Sequence, residues 1–143
     1  PMKAAFPNKC AKAAVLSLLL FAGAVASNAV MDTLSFRYDT SVFSNFSHFQ
    51  HWLDPRISWK NKWKNGDPAQ GEAFVLSSTA CVAATDAWHF FKSVAVTCVL
   101  LAILVPFTQL FAFRWTAWLG IFIGMKLAYG LLFESLFAHV LIK

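Results

Sequence analysis

From Ala13 to Met31 the chain carries no charged residue, and nearly every side chain is apolar. A run of this length approaches the roughly 20 residues needed to cross the hydrocarbon core of a bilayer. In lipid, each backbone N–H and C=O must find its partner within the segment, which restricts such a run to a helix. Two more apolar stretches follow, Ala73–Val105 and Trp115–Leu141. The expected fold is all-α. It is a polytopic membrane protein with three transmembrane helices, near residues 13–33, 74–105 and 115–141. An amphipathic interfacial helix or loop covers 34–72, and residues 2–143 make a single integral membrane domain.

Composition agrees. Charged residues are 13% of the chain and hydrophobic residues 58%, whereas soluble domains are about one-quarter charged. The net charge of +5 gathers at Lys3, Lys9 and Lys12 and at Arg56, Lys60, Lys62 and Lys64. Both groups flank apolar segments, so membrane lipid with anionic headgroups is the expected partner. No nucleic-acid-binding motif is present. The three cysteines, Cys10, Cys81 and Cys98, form no C-x-x-C and no even-numbered framework, and read as inert thiols.

Pro1 before Met2 reads as a remnant of a cleaved tag. The lysines, then Val15–Val25, then Ala24-Val25-Ala26 resemble a secretory signal, with an uncleaved first transmembrane helix as the preferred reading. That start favours an N-terminus inside. Arg37, Arg56, Lys60, Lys62 and Lys64 in the long loop compete with it by count. The expected location is a cell membrane, of the bacterial inner-membrane kind.

Val42, Phe46, Phe49 and Leu53 recur at helical spacing between polar residues, as in a helix lying in the interface. Asp54-Pro55 ends it, and Asn65-Gly66-Asp67-Pro68 is a strong turn signal. Trp59, Trp63, Lys60, Lys62 and Lys64 interleave in the way that suits the headgroup layer. Pro106 with Thr108-Gln109 is expected to turn the chain between the second and third spans.

The chemistry concentrates in Thr85-Asp86-Ala87-Trp88-His89-Phe90-Phe91-Lys92. Ionisable groups inside a span are costly and usually mark a partnered site or pathway. With the second helix entering near Ser77, Asp86 lies about 13 Å down, and Lys126 on the third helix reaches a similar depth. Asp86 and Lys126 are therefore expected to pair, with His89 and Trp88 beside them and Asn28 and Asp32 approaching from the first helix. Thr79, Asp86, Ser93 and Thr97 form a polar stripe on the second helix. Hydroxyls bonding back to their own helix are the ordinary alternative. Lys92 falls on another face, with no role assigned.

Gly120 and Gly124, in step with Thr116 and Ala128, make a small-residue stripe that admits a close helix neighbour. If Lys126 turns inward, that stripe is free for a second chain in a homo-oligomer. His48 and His51 have the one-turn spacing of a metal pair, and Glu134, with His139, would complete a site on the loop side. No other cofactor is indicated. A lone deep His89 is poor grounds for haem, and Ser93, His89 and Asp86 on one helix can rarely reach each other in triad geometry. The leading reading is a small membrane protein that binds or passes a lipid- or quinone-like amphiphile or an ion at a polar site between its helices. Alternatives are a membrane-embedded enzyme acting on lipid headgroups and a small subunit of a larger complex.

Overall fold

The structure, a computed structural model, describes residues 5–136. Three long helices dominate it: α1 (Ala5–Phe36), α4 (Ala87–Leu110) and α5 (Trp115–Leu136). Between α1 and α4 lie two one-turn helices, α2 (Gln50–Leu53) and α3 (Pro55–Ser58), among short 3-10 turns. No strand occurs among the described residues, and only Trp63 and Glu72 form an isolated bridge. Lys9–Phe36, Ala87–Leu110 and Trp115–Phe133 are long and apolar enough to cross a membrane. At about 1.5 Å per residue the first two exceed a core of about 30 Å and the third nearly matches it.

The chain divides into two compact units. One is residues 23–96; the other holds the described residues before 23 and after 96. In the first, the end of α1 and the start of α4 share a small core. Leu34, Tyr38, Leu53 and Ala87 are buried, with Val30, Phe43, Trp52 and Phe91 packed against them. Polar groups within this part of α1 are satisfied locally. Ser27 Oγ donates to the Gly23 carbonyl at 2.9 Å and Thr33 Oγ1 to that of Ala29 at 2.7 Å.

The interfacial segment is a chain of turns instead of one amphipathic helix. Its hydroxyls take backbone carbonyls that a helix would need. Ser41 Oγ donates to Tyr38 O at 2.7 Å, and Ser44 Oγ to Ser41 O at 2.8 Å. Asp54 then starts α3, accepting from Arg56 N at 2.9 Å, with Pro55 in the first helical position. Asn65 and Gly66 take positive φ, 50° and 74°, as the turn signal requires.

The second unit corrects the expected turn at Pro106. This residue sits inside α4, which continues to Leu110. Proline cannot donate to the carbonyl four residues back, here that of Ala102. Ser17 Oγ of α1 donates to that same carbonyl at 3.0 Å. A hydroxyl from a neighbouring helix is one of the ways a proline is accommodated in lipid. On α5, a Cβ added at Gly120 or Gly124 would meet nothing within 4 Å.

Candidate functional site

The polar run lies at the entry of α4 and not deep within a span. Helix α4 starts at Ala87, and Ala73–Asp86 is a series of turns ending in the 3-10 turn Val82–Ala84. The change of start moves Asp86 outward by about 13 Å relative to a helix entering near Ser77. Thr79 accordingly leaves the helical stripe, while Ser93 and Thr97 remain on α4.

Asp86 is the N-cap of α4. Its Oδ1 accepts from the backbone N–H of His89 at 2.9 Å, and its carbonyl from Phe90 N at 3.1 Å. The same carboxylate takes the His89 ring, Nδ1 lying 2.8 Å from Oδ1 and 2.9 Å from Oδ2. Thr85 Oγ1 donates to Oδ2 at 3.0 Å. Only 3% of Asp86 is exposed. Burial is the largest single influence and opposes ionisation. The hydrogen bonds from the His89 ring, the His89 amide and Thr85 together outweigh it, holding the carboxyl below its ordinary range.

The opposite ring nitrogen, Nε2, lies 3.5 Å from Lys62 Nζ. A carboxylate accepts only and an ammonium donates only. The partners therefore assign the proton to Nδ1 and leave Nε2 as the acceptor. The result is a line from a buried carboxylate through a half-buried imidazole to a half-buried ammonium.

Polar loop contacts place Lys62. Its carbonyl accepts from Ala73 N at 2.9 Å and from the fully buried Ser77 Oγ at 2.7 Å. Next to it, Asn61 Nδ2 donates to His51 O at 2.7 Å and to Thr85 O at 2.8 Å. The loop is thus tied to the cap of α4. Trp88 meets the His89 ring edge-on, with centroids 4.9 Å apart, and Lys92 Nζ lies 5.0 Å from the Trp88 ring centre.

Of the residues expected at the site, Asp86, His89 and Trp88 come together. Lys126 donates from Nζ to Thr97 Oγ1 at 2.9 Å. Asn28 Nδ2 and Asp32 Oδ2 pair with each other at 3.4 Å on the exposed face of α1. His48 and His51 are exposed and fall in separate turns. Among the described residues no three His, Cys, Asp or Glu side chains gather to hold a metal. The Glu134 side chain and His139 lie outside the described residues. Sequence reasoning missed Lys62, Asn61, Thr85 and Ser77. Their only advance sign was polarity within the Trp- and Lys-rich stretch and beside Asp86.

A second polar knot stands apart from this line. Arg56 reaches Asp54 Oδ2 at 2.7 Å and Asp39 Oδ1 at 2.9 Å, and lies over the Tyr38 ring at 5.6 Å from its centre. The Arg56 hydrogen bonds keep the Asp54 carboxyl below its ordinary range, whereas burial raises the Tyr38 phenol. Comparison of the chain with protein-family models, with curated proteins and with solved structures finds no match.

Proposed function

We propose that the chain binds an amphiphile with an anionic headgroup where α4 enters the membrane. Lys62, held by the His89 ring, takes the headgroup, with Trp88 and Lys92 beside it. One arrangement carries this reading. The buried Asp86 fixes the His89 ring, and Nε2 of that ring meets the Lys62 ammonium at 3.5 Å, at the first turn of a helix apolar enough to cross a membrane. An ammonium has three donors, and one imidazole acceptor uses only one of them. The remainder suit phosphate or carboxylate oxygens, and charge-assisted bonds of this type are among the strong ones. Lys92 is one turn further along α4, about 4.5 Å beyond His89, on the side an acyl tail would follow.

The test is binding of short-chain phosphatidylglycerol and phosphatidylcholine to the full chain in neutral detergent, read by native mass measurement. The anionic lipid should bind more tightly. A charge-assisted hydrogen bond contributes about 1.5–3 kcal/mol, so Lys62→Gln should weaken phosphatidylglycerol binding at least about tenfold. Lys62→Arg should retain most of it. Equal affinity for the two lipids, or no effect of Lys62→Gln, overturns the reading. Release of a soluble headgroup during the titration would replace it with an enzyme acting on lipid headgroups, His89 serving as general base.

A further inference from the structure

The turn over residues 72–78 has its polarity inverted relative to a loop built for water. Ser77 is fully buried, while Phe74, Val75 and Leu76 are 46%, 80% and 47% exposed. Three consecutive apolar side chains in water oppose the main driving force of folding. Here the backbone is held so as to display them. Leu76 takes φ 60°, a left-handed conformation unfavourable for a residue with a Cβ. The Glu72 carboxylate stabilises it by accepting from Leu76 N at 3.0 Å, from Ser78 N at 3.1 Å and from the Ser78 hydroxyl. The Leu76 carbonyl accepts in turn from Thr79 N at 3.1 Å and Cys81 N at 2.8 Å.

The position of this turn identifies what covers it. Ala73 N and Ser77 Oγ both donate to the Lys62 carbonyl, and the Lys62 ammonium meets His89 in the first turn of α4. The apolar tip is therefore tied, through Lys62, to the first turn of α4. Exposed Trp59, Lys60 and Lys64 precede it in the chain, residue types that settle among headgroups. We infer that the Phe74–Leu76 tip inserts into the acyl layer of the membrane that the helices cross, with Glu72 and Ser77 as its positioning residues. The tip acts as a depth stop for the loop that carries Lys62. This assignment does not depend on Lys62 binding a headgroup.

Nitroxide accessibility tests it. In the full chain with Cys10, Cys81 and Cys98 changed to Ser, a spin label is placed through Val75→Cys or, as a control in the exposed turn Pro68–Gln70, through Ala69→Cys. The protein is reconstituted in phosphatidylcholine vesicles containing phosphatidylglycerol. The label at 75 should be several-fold more accessible to oxygen, and several-fold less accessible to a water-soluble nickel chelate, than the label at 69. Glu72→Gln should raise nickel access at 75 and leave 69 unchanged. Equal nickel access at the two sites overturns the proposal. So does shielding of position 75 from both reagents, which would mark a protein partner, or dipolar broadening between labels, which would mark a second copy. A Glu72→Gln variant without effect removes Glu72 from the positioning role.

Discussion

The carboxylate of Asp86 performs two functions from one position, capping α4 and orienting the His89 ring. Two substitutions separate them. Asn caps a helix about as well as Asp, whereas Ala does not. Asp86→Ala should lose the cap and leave the ring donor without its buried acceptor, costing about 2–4 kcal/mol in all. Asp86→Asn should keep most of the helix start yet release the ring. Nitrogen NMR of the imidazole should then show mixed tautomers where the wild type has Nδ1 protonated. The pH dependence follows from a carboxyl held below its unfolded value. Its contribution is complete above the unfolded pKa of about 4 and is lost as pH falls through the lower folded value. Asp54 and Glu72 are lowered too, by Arg56 and Ser78 respectively, and share that acid window. The contribution of these carboxylates to stability in detergent titrations should thus be flat above about pH 5 and fall below about pH 4. Asp86→Asn should reduce that fall without abolishing it, and an unchanged acid slope in the variant would deny Asp86 its part. The acid and imidazole were legible in the sequence because ionisable residues interrupt an apolar run. Lys62 was not, since it lies 27 residues before His89 and no spacing rule links them.

At the level of elements, α1 and α5 were legible because an apolar run in lipid admits only a helix. The start of α4 was not. The turns of 73–86 are nearly as apolar as the helix that follows, so hydropathy passes over the boundary. The decisive signal was Thr85-Asp86 acting as a cap, a role that a charge inside an apolar stretch conceals. The far end of α4 was misread for the converse reason. Proline is a helix breaker in a chain considered alone, but Ser17 of α1 answers the carbonyl that Pro106 leaves free. That pairing makes a double-mutant cycle informative. Ser17→Ala should cost about 1–2 kcal/mol by orphaning the Ala102 carbonyl. Pro106→Ala restores a backbone donor to it, so in that background Ser17→Ala should cost far less. Equal costs in both backgrounds, measured by denaturant titration in mixed micelles, would mean that the Ser17 hydroxyl does not compensate for the proline.

For the whole molecule, three membrane-crossing helices impose an alternation of sides that no local contact can alter. Cys10 lies in the first turns of α1, and Cys81 lies in the turns just before α4; both are exposed. Cys10 stands at the first end of the span Lys9–Phe36 and Cys81 beyond its other end. Cys98 is within α4 and only partly exposed. A charged maleimide that cannot cross lipid should therefore label either Cys10 or Cys81 from the outside of sealed vesicles, and the other only after permeabilisation. Cys10→Ser and Cys81→Ser identify which thiol reacts. The charge rule leaves the side itself open to this measurement, because Lys3, Lys9, Lys12 and Arg114 compete by count with Arg37, Arg56, Lys60, Lys62 and Lys64 of the long loop. Labelling of both thiols from the same side would mean that α1 does not cross. The loop that carries Lys62 and the Phe74–Leu76 tip would then lie on the same side as the N-terminus. Opposite labelling places that loop, its cations and the Asp86–His89 line on a single face, so a headgroup that meets Lys62 belongs to one leaflet. Anionic lipid supplied to the other leaflet should then leave binding unchanged.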